Sequence, residues 1–254
     1  MSWWHAVIVL VAGVWAGTIN TVVGSGTLVT FPVLVALGYP PVTATTSNAI
    51  GLAPGTISGA IGYRHELKGQ ARRIARYAIP SFVGAIGGTV LLLSLPHNTF
   101  EKVVPVLVGF SLALVIVQPR LSKWVAQRRA NEPDMQDHGG PLLLLFIFLI
   151  GVYGGYFTAA QGIMLVAVMG VLLTDPLQRL NGIKNVLVAV VNVVAGTVYA
   201  FVAPVSWPVV GLLALGSTLG GQLGAKIGRR LPPAALRAVI VVVGTVAIVH
   251  LVSA

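Results

Sequence analysis

Gly13-Val-Trp-Ala-Gly17-Thr-Ile-Asn20-Thr-Val-Val-Gly24-Ser-Gly26-Thr-Leu-Val-Thr-Phe-Pro-Val-Leu-Val-Ala-Leu-Gly38-Tyr-Pro40 is an apolar stretch broken in its middle by glycines and polar residues. A second stretch of the same design begins at Gly151-Val-Tyr-Gly-Gly155, breaks around Gln161-Gly162 and runs to Pro176. In each, a long apolar run is followed by one of only about 12 residues, which spans roughly 18 Å as helix and little more than half of the ~30 Å hydrocarbon layer. Irregular backbone persists at membrane depth only where protein or a polar cavity satisfies its N–H and C=O groups. Paired broken segments in corresponding halves of an apolar chain are the sequence mark of a transport site.

The composition supports a membrane setting. Of 254 residues, 56% are apolar and 9% charged, against about 25% charged in a soluble domain. So few charges cannot cover a surface facing water. The apolar runs are long and do not alternate, which excludes a transmembrane barrel. The formal charge of +10 sits between apolar runs, as in cytoplasmic loops, so it predicts no nucleic-acid partner. There is no cysteine, hence no disulfide or thiolate ligand. Residues 1–23 lack a basic head and a small-residue cleavage site, so no cleavable signal is expected.

Apolar stretches fall near 3–23, 27–38, 42–62, 74–95 and 103–119, then 141–160, 163–174, 176–203, 207–227 and 233–254. The expected fold is an all-α transmembrane bundle of two inverted repeats, each with four full-length helices and one short broken helix. The repeats occupy 1–119 and 141–254, joined by a cytoplasmic linker at 120–140. Five crossings per half place Arg64, Lys68, Arg72, Arg73 and Arg76, the linker, and Lys226, Arg229, Arg230 and Arg237 on the cytoplasmic side. Pro96–Lys102 then faces outside. This arrangement puts every basic loop inside. Gly51-xxx-Gly55-xxx-Gly59, Gly84-xxx-Gly88 and Gly216-xxx-Gly220-xxx-Gly224-xxx-Gly228 read as close helix contacts.

The chemistry lies in polar residues at membrane depth. The candidate substrate-binding set is Asn20, Gly24, Ser25, Gly26, Ser47, Asn48, Gln161, Gly162, Asn181, Lys184 and Asn185. Sliding the halves by 137 residues lays Ser47-Asn48 on Lys184-Asn185. Thr27, Thr30, Thr158 and Asn192 add further polar groups, and each of these residues can also serve as an interhelical hydrogen bonder. Lys184 stands about eight residues into a helix expected to start at Pro176, capped by Thr174 or Asp175. It acts either as the counter-charge of an anion or as a snorkelling interfacial cation. Gly24–Gly26 and Gln161-Gly162 precede short helices whose N-termini offer free N–H groups and a partial positive charge, a setting that binds oxyanions.

The six acidic residues and five histidines all lie in loops or at segment ends. The sequence thus predicts no intramembrane proton relay, no metal centre and no cofactor. Gly24-Ser-Gly26 suggests a serine nucleophile only faintly, because no histidine at depth supplies a base.

At these residues the chain resembles the TauE/SafE family of sulfite-exporter-type membrane transporters. The resemblance is carried by Gly13, Gly17 and Gly24-Ser-Gly26-Thr-Leu-Val-Thr-Phe-Pro-Val-Leu, by Gly38-Tyr-Pro-Pro-Val-Thr-Ala-Thr-Thr-Ser-Asn48, and by a weaker echo in the second half. Gly-Ser-Gly stands where members usually show a run of glycines. Leu180-Asn-Gly-Ile-Lys-Asn185 departs from the Thr-Ser signature that Ala44-Thr-Thr-Ser47 resembles. The resemblance implies transport of small sulfur-containing anions such as sulfite or sulfonates. The expected protein is therefore a multi-pass secondary transporter or facilitator of the plasma (inner) membrane, not an enzyme. Its partners are a small anionic substrate and the lipid bilayer. A passive anion channel and an intramembrane enzyme are the alternatives, and the oligomeric state is open.

Overall fold

The computed structural model of the chain describes residues 2–131, 139–227, 238, 240–243 and 245. These residues form helices and connections, with no strand among them. The helices are α1 (Trp3–Val22), α2 (Thr27–Ala36), α3 (Pro41–Gly62), α4 (Ala71–Ser94), α5 (His97–Asn131), α6 (Pro141–Phe157), α7 (Gln161–Leu172), α8 (Leu177–Val202) and α9 (Trp207–Ile227). α1, α4, α8, the Lys102–Arg120 part of α5 and nearly all of α9 are long and apolar enough to cross a membrane. α3 has the length, at 22 residues, but carries Thr43, Thr45, Thr46, Ser47 and Asn48 in its first two turns. α5 continues into the segment read as a linker as far as Asn131. Residues 132–138 of that segment, Arg229, Arg230 and Arg237, and most of 233–254 lie outside the described residues.

Prolines and glycines mark the element boundaries. Pro41 and Pro141 open α3 and α6, where a missing N–H costs nothing. α8 differs from expectation. Pro176 is itself the N-cap and no side chain caps the helix, because the Asp175 carboxylate is held elsewhere, by two arginines.

The surface is largely apolar, and the interior carries polar groups among its apolar core. Ile79, Val106, Phe201 and Leu215 are more than half exposed, whereas Ser47, Asn48, Lys184 and Ser217 are fully buried. That distribution suits a lipid solvent, in which apolar side chains need no burial and polar groups must find partners inside.

The glycine stripes set how the helices pack. Gly13 meets Leu213 and Gly216, Gly220 meets Val14 and Thr18, and Gly224 meets Thr18 and Thr21. The contacts advance together, so α1 and α9 run parallel. Gly51 at Leu213, Gly55 at Ser217 and Gly62 at Ala225 align α3 with α9 in the same sense. Gly84 meets Phe148 and Val152, and Gly88 meets Val152 and Tyr156, making α4 parallel to α6. α3 and α8 run antiparallel, with Gly196 at Ile50 and Gly182 at Tyr63. The helices thus form two bundles, α1–α3–α9 and α4–α6–α8, running in opposite senses and meeting along α3 and α8. Within each bundle a short helix, α2 or α7, carries the chain back between two parallel long ones.

Candidate functional site: two helix breaks in contact

α1 ends at Val22, and Gly24 takes a left-handed φ of +92° while its N–H donates to Ile19 O at 3.0 Å. This is a glycine C-terminal stop, and it frees Ser25 and Gly26 to lead into α2. The second break reaches the same shape without glycine. Thr158 (φ +38°) and Ala160 (φ +57°) both occupy the left-handed region, which costs a non-glycine residue about 1–2 kcal/mol. Strain of this kind persists only where its surroundings over-determine it, and it clusters at functional sites.

The two breaks touch. The Gly162 N–H donates to Gly24 O at 3.1 Å, and the Thr27 and Thr158 hydroxyls lie 3.2 Å apart. A Cβ on Gly24 would come within 2.6 Å of Gly162 Cα, so only glycine permits this approach. The first break is tied to two long helices, α3 and α8. Asn48 of α3 donates Nδ2–H to Thr27 Oγ1 at 3.1 Å and accepts from the Thr30 hydroxyl at 2.5 Å. From α8, Lys184 donates Nζ–H to Asn20 O and Thr21 O, both at 2.9 Å, and Asn185 Nδ2 reaches Thr21 O at 3.4 Å. Lys184 is fully buried, so it does not snorkel. Its ammonium caps the last carbonyls of α1, and one of its three donors remains.

What surrounds this contact is a set of buried donors without partners. The N–H groups of Ser25, Gly26 and Thr27 at the start of α2, and of Ala160 and Gln161 at the start of α7, have no backbone acceptor. The Ser25 hydroxyl and both polar atoms of the Gln161 amide have no hydrogen-bond partner either, although Ser25 is 0% and Gln161 1% exposed. A buried polar group left unsatisfied costs about 1–3 kcal/mol, and such clusters call for an explanation. Donors aimed inward from two helix N-termini beside a buried cation present the chemistry of an oxyanion receptor.

Of the residues expected at the site, Asn20, Gly24, Ser25, Gly26, Asn48, Gln161, Gly162, Lys184 and Asn185 come together around the two breaks. Ser47 points elsewhere: its hydroxyl accepts from the Ser206 N–H at 2.9 Å, holding the loop between α8 and α9. Asn181 is half-buried, one turn before Asn185. Ala160 escapes a sequence reading, because nothing marks an alanine for positive φ.

Asp175, expected as a cap, binds Arg73 Nη2 of α4 at 2.6 Å and Arg179 Nη1 at 3.1 Å. Burial pushes its carboxyl up, but the hydrogen bonds and charges of the two guanidinium groups outweigh this and hold it below the usual carboxylate value.

A largely apolar exterior, polar groups in the interior and paired helix breaks in contact define a multi-pass membrane protein with a buried polar site. The family model described as Sulfite exporter TauE/SafE matches residues 9–251, and the chain belongs to that family. It is 25% identical over 232 residues to the probable membrane transporter protein YfcA of Escherichia coli K12, covering 91% of this chain and 83% of that protein. A probable membrane transporter protein of Haemophilus influenzae is 26% identical over 222 residues, covering 87% and 84%. A third, ORF9 of a Sinorhizobium species, is 25% identical over 225 residues, covering 85% and 80%. No solved structure matches the chain. On these grounds the chain is a membrane transporter.

Proposed function

We propose that the chain is a secondary transporter or facilitator for small anions, with sulfur oxyanions or organosulfonates such as sulfite as its substrates. The observation that carries this reading is the contact of two helix breaks at Gly24 and Gly162, ringed by buried donors that have no acceptor. Ser25, Gln161 and the free N–H groups of α2 and α7 hold the anion's oxygens. Lys184 supplies the positive charge and fixes the end of α1 through the Asn20 carbonyl, while Asn48 and Asn185 hold the first break in place. The sulfur chemistry of the substrate rests on the family description.

The opposite running senses of the two bundles support inverted repeats at 1–119 and 141–254, with 120–140 as a cytoplasmic linker in the plasma membrane. Near-complete burial of Ser25, Gln161 and Lys184 favours a carrier that occludes its substrate over an open passive channel. The one amine at the site, Lys184, donates to Asn20 O and Thr21 O and not to the Ser25 hydroxyl, so Ser25 has no base engaged with it of the kind an intramembrane serine hydrolase uses.

The test is flux in proteoliposomes with sulfite, an alkyl sulfonate, sulfate and chloride. Saturable movement of sulfite or the sulfonate, lost in a Ser25→Ala/Gln161→Met variant that still folds, is the expected result. Equal flux of all four anions, or full activity in that variant, refutes the assignment.

A further inference from the structure

A second feature lies on the outer surface, away from the breaks. Along the seam where α3 meets α8 runs a groove of about 580 Å³, whose walls include Ile57 and Ile61 of α3, Phe82 of α4 and Val190 and Val193 of α8. Ile57, Ile61, Phe82 and Val193 are each more than a third exposed, so the groove opens toward lipid. The one charged group lining it is Arg64, at one end. Arg64 is exposed, and its guanidinium makes no ion pair or hydrogen bond among the described residues. From Arg64 to Ile57 the chain advances about 10 Å, some two thirds of the depth of one leaflet of a ~30 Å core.

Charge adds a direction. Arg72 and Arg76 are exposed near the start of α4, the helix that supplies Phe82, and α3 brings Arg64 to the same end. An apolar slot reaching most of the way through one leaflet, with an unpaired guanidinium at its mouth and further cations beside it, complements a phosphate carrying an acyl chain. Beyond Ile57 and Val193 the slot continues into a second hollow lined by Asn192, whose Oδ1 has no partner. A hydrocarbon cannot serve that amide, so the acyl chain stops short of it.

We propose that this groove binds one anionic phospholipid from the leaflet on the Arg64 side, with an acyl chain between α3 and α8 and the phosphate on Arg64. The lipid lies across the line where the two oppositely running bundles meet. The inference does not depend on the substrate reading, because none of these residues belongs to the site at the helix breaks.

Native mass spectrometry tests it. The protein is released from nanodiscs of equal phosphatidylglycerol and phosphatidylcholine, alongside Arg64→Gln, which removes the charge, and Ile57→Trp, which fills the slot. The wild type should retain one phosphatidylglycerol above the phosphatidylcholine background. Both variants should lower that retention at least tenfold while thermal melts in detergent, unchanged from the wild type, show that they fold. Three results overturn the proposal: equal retention of the two lipids, retention unchanged in either variant, or a dimer that Ile57→Trp dissociates, which assigns the seam to a second copy of the chain.

Discussion

Gly24→Ala tests the contact between the breaks most directly. Two costs follow from the structure. The backbone at position 24 has a φ of +92°, which penalises any L side chain by about 1–2 kcal/mol. The added methyl would also meet Gly162 Cα at 2.6 Å, and overpacking of this sort costs about 1–3 kcal/mol. The expected destabilisation is therefore about 2–5 kcal/mol. Gly38→Ala serves as the control, since its φ is +88° but nothing lies within 4 Å of its Cβ. It should show only the backbone cost and keep transport. Gly162→Ala presses on the same contact from the other side, at 2.5 Å from Gly24 Cα. Once one methyl has parted the breaks the second has less to displace, so the double variant should fall short of the summed singles by at least about 0.5 kcal/mol. Denaturant unfolding in detergent, followed by tryptophan fluorescence, measures each value. Gly24→Ala no more costly than Gly38→Ala, or strict additivity with Gly162→Ala, refutes the contact.

Three further outcomes are expected. Ser25→Ala and Gln161→Met each remove unsatisfied buried polar atoms, so they should leave stability unchanged or raise it by up to about 1 kcal/mol while transport falls at least tenfold, as thermal melts and flux assays will show. The Asp175 carboxyl is held below its ordinary value, so its pairing contributes stability above the unfolded pKa of about 3.9 and loses it as pH falls through the lower folded value. Unfolding midpoints taken down to pH 3 should therefore drop more steeply in the wild type than in Asp175→Asn. Finally, a potassium–valinomycin potential should drive a monovalent anion out of proteoliposomes, because 100 mV is worth about 2.3 kcal/mol per charge; a rate that ignores the potential and follows only a sodium or proton gradient contradicts uncoupled transport.

Periodicity and punctuation in the sequence carry most of the fold. Gly24, Gly38 and Pro40 delimit α2 because each makes a local demand on the backbone, and the small-residue stripes name the faces that pack. The partner of each stripe is not local information. Nothing in Gly13 specifies Gly216 over another small face, and only the folded chain shows that α1 packs on α9 and α4 on α6. Pairing at the site was partly legible: Asn48 and Asn185 stand at equivalent positions of the two halves, and both hold a break. Ser47 and Lys184 are equally aligned yet diverge, one serving the α8–α9 loop and the other the end of α1. Their neighbours in space are set by different helices. The Asp175 cap failed for a related reason, since Arg73, about a hundred residues earlier, outcompetes a local N–H.

Lys184 carries the electrostatics of the site further. The N-termini of α2 and α7 bring partial positive charge to the breaks, and the C-termini of α1 and α6 bring partial negative charge of similar size. At some distance these four contributions nearly cancel, so the net charge of the site is close to that of one ammonium. Close in, they do not cancel: the N–H groups at the starts of α2 and α7 have no backbone acceptor, while Lys184 and Asn185 cover the carbonyls of α1. In the site proposed above, an anion would therefore meet donors at short range and a single positive charge at long range. A monovalent oxyanion neutralises that charge and uses the donors, whereas a dianion leaves one charge unbalanced where low dielectric makes this costly. Selectivity between the two follows from the count of buried cations, and replacing Lys184 by an uncharged side chain of similar length should remove it along with binding.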